Sequence, residues 1–197
     1  MREFAVTLLV AMLVAAPARA TRTGEPAPAF ALSTASGDTV ELARLRGRVV
    51  YVDFWASWCT PCRRSFPWMN ELEARYRDSG LTIVAINVDK RREDALRFLR
   101  DVPARFTVVF DAEGRMPAAF DVKGMPSSYL IDREGQLVGS LEGATQWDAP
   151  ESLALIRYYL GLRPASPPAS SLTQPASYRP GGAKPSPQRV GVGFSPL

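Results

Sequence analysis

Apolar and polar positions along this chain fall into blocks whose periods predict successive elements. Phe30 to Leu45 alternates on either side of Ser36-Gly37-Asp38, which is turn chemistry, and reads as a short hairpin. Arg48 to Trp55 holds an almost unbroken apolar run, Val49-Val50-Tyr51-Val52-Asp53-Phe54-Trp55, as expected of a strand covered on both faces. Phe66, Met69, Leu72 and Tyr76 recur at spacings of three and four, so the segment after Trp55 continues as a helix. Pro67 lies inside that pattern and predicts a kink or the end of the first turn, and Gly80 stops the helix. Leu81 to Val88 is a second buried strand. Arg92 to Leu99 reads as a helix with Ala95, Leu96 and Leu99 inward, Val108 to Phe110 as a short strand, and Met116 to Phe120 as a short helical insertion. Ser128 to Ile131 and Gln136 to Leu141 form a hairpin across Asp132-Arg133-Glu134-Gly135. Glu151 to Leu160 is a final helix with Leu153, Ile156 and Leu160 on one face, and residues 21–28 are a loose lead-in. The order predicts an α/β sheet that starts parallel and finishes antiparallel.

The two ends have a different texture. Arg2 precedes an uncharged apolar run from Phe4 to Ala16, and Ala18-Arg19-Ala20 supplies an A-x-A cleavage pattern. That run is shorter than the roughly 20 residues a bilayer span needs, so residues 1–20 read as a cleaved signal peptide, with an uncleaved anchor as the alternative. Position 21 is Thr, so no lipid-modified cysteine follows the cleavage site. Residues 163–197 contain eight prolines and few large apolar side chains, a composition that reads as a disordered Pro-rich tail. Residues 21–162 are then the folded domain. The formal charge of +4 is carried by the ends: +1 on the leader and +4 on the tail leave −1 on residues 21–162. A basic nucleic-acid footprint on the domain is therefore not expected.

Cysteine and histidine usage narrow the chemistry. The chain has two cysteines, Cys59 and Cys62, and no histidine. Histidine-based triads, bases and metal ligands are thereby excluded, and two cysteines do not complete a four-ligand zinc site. A disulfide across so short a loop removes little chain entropy, so stapling explains the pair poorly. The pair stands where a buried strand gives way to a helix. Helix N-termini and Cys-X-X-Cys spacing both stabilise a thiolate, the nucleophile of disulfide exchange. Cys59, the more exposed by helical geometry, is assigned as the nucleophile, and Cys62 as the thiol that resolves the mixed disulfide.

The stretch from Val50 to Cys62 resembles the active-site strand and loop of thioredoxin, in particular Asp53-Phe54-Trp55-Ala56-x-Trp58-Cys59-x-Pro61-Cys62. The leader, the N-terminal hairpin, Cys62-Arg63-Arg64-x-Phe66-Pro67 and the insertion before Gly124-Met125-Pro126 are more similar to the TlpA/ResA-like branch of exported relatives. The resemblance spans roughly residues 25–162. It implies a thioredoxin fold: a central mixed sheet flanked by helices, with an N-terminal β-hairpin and a short βα insertion. It also implies a cis Met125–Pro126 bond, with the Met125 backbone near the sulfurs to receive a substrate strand. An ordinary trans turn proline is the alternative. Trp58 matches the aromatic beside the nucleophile, offering apolar surface to substrate or simply packing. Thr60 and Pro61, between the cysteines, resemble reductant-type sites.

Proton transfer is where the chain departs from its branch. Thioredoxin places a buried acid six residues before the first cysteine, which is Asp53 here. Many TlpA/ResA-like proteins have an uncharged residue there and a Glu three residues after the second cysteine, which is Ser65 here. Asp53 is therefore expected to accept the Cys62 proton, the alternative being a hydrogen-bonded structural Asp. Arg63 and Arg64 read chiefly as a solvated helix face. Together these features suggest a monomeric periplasmic dithiol reductase. It would act on oxidised cysteines of exported proteins, apocytochrome c among them, and be recharged by a membrane electron donor. No cofactor is implied, because the cysteines carry the electrons. A disulfide oxidase or isomerase on the same fold, and a non-catalytic thioredoxin-like binding domain, are the alternatives. The peroxidase loop P-x-x-x-T-x-x-C is not matched, since Val52 and Ala56 occupy its Pro and Thr positions.

Overall fold

The computed structural model describes residues 23–143 and 149–162, so the leader and the Pro-rich tail lie outside the described residues. Among the described residues, seven strands form one mixed sheet: β1 (Ala31–Ser33), β2 (Thr39–Glu41), β3 (Val49–Trp55), β4 (Leu81–Asn87), β5 (Thr107–Phe110), β6 (Ser127–Ile131) and β7 (Leu137–Glu142). Their order across the sheet is β2-β1-β5-β4-β3-β6-β7. β3 runs parallel to β4 and β4 to β5, while β6 pairs antiparallel with both β3 and β7. The parallel centre and the antiparallel finish agree with the sequence pattern, whereas the first strand, β1, pairs antiparallel with both β2 and β5. The four helices are α1 (Thr60–Tyr76), α2 (Arg92–Asp101), α3 (Arg115–Ala119) and α4 (Pro150–Tyr159), and Leu42–Leu45 adds one 3-10 turn after the hairpin. Among the described residues, no helix is long and apolar enough to cross a membrane.

β3 is buried at every position because helices cover both faces of the sheet. Side chains alternate across a strand, so its two sets enter different cores. Val49, Tyr51 and Trp55 pack with residues of α1, α2 and α4. Val50, Val52 and Phe54 pack with Phe30, Leu32 and Phe120. Trp55, Phe66 and Phe98 form an aromatic cluster with ring centres 4.9–5.1 Å apart.

Several elements differ from the pattern. Pro67 does not end the first turn of α1; the helix runs through it to Tyr76. A proline in a helix interior costs about 3 kcal/mol. Burying Phe66, Met69, Leu72 and Tyr76 returns roughly 1.5–3 kcal/mol for each large side chain, so packing wins. In α2, Phe98 is buried with Ala95, whereas Leu96 and Leu99 are only half-buried. In α4, Ile156 and the C-cap residue Leu160 are buried as expected, Leu155 is buried beside them, and Leu153 is half-buried against the same core. The difference is therefore one further buried apolar position in each helix, Phe98 in α2 and Leu155 in α4. The lead-in is not loose where it is described. Gly24 N–H bonds Leu137 O at 2.8 Å, Leu137 N–H bonds Glu25 O at 2.9 Å, and Ala27 N–H bonds Gly135 O at 3.0 Å. These bonds cover the start of β7, which would otherwise present an open sheet edge.

Candidate active site

Cys59 and Cys62 sit at the junction of β3 and α1. Cys59 is the N-cap residue of the helix, and its sulfur accepts the Cys62 N–H at 3.2 Å. The first N–H groups of a helix have no partner within it, so this donor is available to a sulfur there. Pro61 lies in the first turn, where its missing N–H costs nothing. The two sulfurs are joined at 2.00 Å, with Cα atoms 5.3 Å apart. Cys59 retains 3 % exposure and Cys62 none. Both cysteines are thus buried in the disulfide form, whereas helical geometry predicts an exposed Cys59.

Around the pair, Trp58 is 67 % exposed, while Cys59 next to it and Ala56 two residues before it are buried. An indole held in solvent beside a buried disulfide is a ready apolar contact surface. The Met125–Pro126 bond is cis. Pro126 is buried, and half-buried Met125 packs against the core cluster that contains both cysteines. Thr60 is exposed. Arg63 stacks 4.9 Å above the Phe98 ring and lies 3.9 Å from Asp101, which places it on the helix surface towards α2. The Ser65 hydroxyl donates to the Cys62 carbonyl at 2.9 Å.

Asp53 is 1 % exposed. Strand alternation places it on the same face of β3 as Tyr51 and Trp55, the face that packs against the cysteine-bearing helix. Its Oδ1 accepts the Ser128 hydroxyl at 2.6 Å, while Oδ2 has no hydrogen-bond partner among the described residues. Burial pushes this carboxyl up to about 7, and the Ser128 hydrogen bond partly opposes that rise. A carboxyl that titrates near neutrality can take up or release a proton at the pH where thiols exchange.

The sequence pattern did not single out the clamp that holds the loop before Cys59. Asp89 is buried, and its carboxylate accepts both the N–H of Ser57 at 2.8 Å and its hydroxyl at 2.9 Å. The Asn87 amide donates to the same carboxylate at 2.8 Å. Asp89 thus ties the segment carrying Trp58 to the end of β4. A signal existed in Asn87-x-Asp89 at the carboxyl end of a buried parallel strand, where α/β folds place their sites. Glu73, also unremarked in the sequence, is buried in α1 and accepts the Ile83 N–H at 2.7 Å, with Arg77 at 3.4 Å. Its role is to join α1 to β4.

Comparison with known proteins agrees with this geometry. The Redoxin family matches residues 22–154. Thiol-disulfide oxidoreductase ResA of Bacillus subtilis is 34% identical over 120 residues, 61% of this chain and 67% of the relative. ResA of Geobacillus thermodenitrificans is 33% identical over 135 residues, 68% of this chain and 78% of the relative. Among solved structures, a protein described as thiol:disulfide interchange protein DsbE from Chlorobium tepidum is 46% identical, with a TM-score of 0.69 over 72% of this chain and 100% of that one. The thioredoxin domain of a thiol-disulfide oxidoreductase from Bacteroides vulgatus is 27% identical, with a TM-score of 0.61 over 68% of this chain and 99% of that one.

Proposed function

Since the chain belongs to the Redoxin family, in its TlpA/ResA-like branch of thioredoxin-fold thiol–disulfide oxidoreductases, we propose that it works as an exported reductase of protein disulfides. The observation that carries the reading is the disulfide seated on the first turn of α1, next in chain to an exposed indole, in a fold that also holds a cis Met125–Pro126 bond. The reaction uses the reduced pair. The Cys59 thiolate attacks one sulfur of a substrate disulfide, that bond breaks, and the other substrate sulfur leaves as a thiolate that takes up a proton. Cys62 then gives its proton to Asp53 and attacks the Cys59 sulfur. The Cys59–Cys62 bond forms, the bond between Cys59 and substrate breaks, and the second substrate thiolate is protonated. Two electrons have moved from the pair to the substrate.

Met125, held by the cis bond to Pro126, would receive an extended substrate strand, with Trp58, Thr60 and Pro61 lining the approach. Trp58→Ala should accordingly raise KM for a protein disulfide by about tenfold, equivalent to about 1.4 kcal/mol, and leave the rate with a small disulfide such as oxidised glutathione nearly unchanged. Equal losses with both substrates would remove Trp58 from substrate binding. The leader supports a periplasmic location, and a membrane dithiol donor is the class of partner that would return the pair to its reduced form. Exported proteins with oxidised cysteines, apocytochrome c among them, are the substrates, and the protein acts as a monomer.

Equilibration with dithiothreitol or glutathione at pH 7 measures the reduction potential of the Cys59–Cys62 couple and tests the direction of flow. A value near thioredoxin's, roughly −270 mV, is expected of a reductase. A value near that of DsbA, roughly −120 mV, would make the protein an oxidant and reverse the assignment.

A further inference from the structure

We propose that Ser128 is a positioning residue for the exchange reaction: its hydroxyl holds Asp53 through Oδ1 and leaves Oδ2 to take the Cys62 proton. The inference rests on the reading of Asp53 as proton acceptor.

Register and alternation bring the three side chains together. Ser128 on β6 stands directly opposite Asp53 on β3. Tyr51 lies two residues before Asp53 and so projects from the same face of β3. The Ser128 hydroxyl donates to Asp53 Oδ1 at 2.6 Å. A serine hydroxyl has one proton to give, and here it is committed to the carboxyl. Burial, and then the Asp53 charge, raise the Tyr51 phenol well above its ordinary value, so it stays protonated throughout the working range.

The Ser128 hydrogen bond has two consequences at Asp53. Oδ1 is occupied and the carboxyl plane is fixed, which leaves Oδ2 as the basic position. A hydroxyl donated to a carboxylate also favours its ionised form, whereas burial favours the neutral one. Ser128 therefore sets how much of Asp53 is ready to accept a proton at neutral pH. Other titratable groups gathered in this core are Tyr51 itself, Cys59, Cys62 and Tyr76, with Tyr159 packed against it and Glu73 at the far end of α1. β4 contributes Ile83 and Ala85, and α4 contributes Leu155 and Ile156, none of which carries charge. In the step itself the Cys62 S–H bond breaks, an O–H bond forms at Oδ2, and the Cys62 sulfur displaces the substrate from Cys59. The departing substrate thiolate then takes up the proton.

The test uses the full chain and follows two quantities across pH 5–10. One is the Asp53 carboxyl titration, read by carbon-13 NMR. The other is the single-turnover rate of resolving a mixed disulfide with a peptide, and both are measured in the wild type, Ser128→Ala and Ser128→Thr. Ser128→Ala should move the carboxyl midpoint up from about 7 by one to two units, roughly the worth of a hydrogen bond to a charged group. The midpoint of the resolving rate should rise with it, so that the rate at pH 7 falls about five- to fiftyfold. Ser128→Thr, which keeps the hydroxyl, should restore both. A carboxyl that stays in place in Ser128→Ala overturns the proposal and leaves the role of Asp53 untouched. A carboxyl that moves while the resolving rate does not overturns the proposal from beneath, because Asp53 is then not the proton acceptor.

Discussion

Serine in place of Cys62 should convert the protein from a turnover catalyst into a covalent trap. The reduced variant still presents Cys59 at the N-cap of α1, where the N–H of residue 62 points at its sulfur, so attack on a substrate disulfide proceeds. Resolution then fails, because a serine hydroxyl at neutral pH does not displace a thiolate from sulfur. Exposing Cys62→Ser to an oxidised protein substrate should accumulate about one equivalent of mixed disulfide, stable until an external thiol is added. Turnover should be lost. Cys59→Ser should lose turnover as well but form no such adduct, since the remaining Cys62 is fully buried beneath the first turn. Non-reducing electrophoresis and intact mass read the outcome directly. Adducts with Cys59→Ser rather than Cys62→Ser would reverse the two roles. Adducts with neither, in folded protein, would remove the pair from catalysis.

The parts of this architecture that can be read from the sequence are those fixed by local pattern. β3 and β4 announce themselves as unbroken apolar runs, and α1 by its three-and-four spacing, because those patterns follow from burial on two faces or on one. The redox pair is legible for a similar reason: strand, Cys-x-x-Cys and helix are contiguous in the chain. What remains hidden depends on partners distant in sequence. The burial of Phe98 in α2 and of Leu155 in α4 is not legible, because several apolar residues compete in each helix and only the packing partners select Phe98 over Leu96, or Leu155 over Leu153. The pinning of Gly24 and Ala27 depends on where β7 begins, more than 100 residues later. Ser128 carries no signal of its own. Its importance comes from the β3–β6 register that sets it opposite Asp53, 75 residues away in sequence. Asp89 lies between these cases, since its position at a strand end is legible although its hold on Ser57 is not.

Asp53→Asn should make the protein a much poorer catalyst and a more stable fold. Asparagine keeps the shape and can still accept the Ser128 hydroxyl, but it cannot take a proton. Resolution of the mixed disulfide should therefore slow on the order of a hundredfold at pH 7, the lower end of what a positioned acid–base group contributes. The wild-type resolving rate should rise through about pH 7 as Asp53 ionises. In the variant that rise should move towards the ordinary thiol range, around pH 8.5. Stability should respond in the opposite sense. The folded-state value of Asp53 is raised from 3.8 to about 7, so between these limits the native state holds a proton that the unfolded chain has released. Unfolding free energy then falls as pH rises from about 4 to 7 and is level above that range. Over the whole interval the loss is about 4 kcal/mol, at 1.36 kcal/mol for each pH unit. Asp53→Asn abolishes this contribution. Its unfolding free energy should exceed that of the wild type at pH 8 by a few kcal/mol and converge with it near pH 4. Glu73, also raised by burial, adds a slope of the same sign to both proteins and cancels in the difference. Urea unfolding of the oxidised forms at pH 4, 6 and 8 measures the stability change, and stopped-flow resolution measures the kinetic one. Equal stability at pH 8 would mean that burial does not raise the Asp53 carboxyl in the native protein. Unchanged resolution kinetics would assign the buried carboxyl to structure alone.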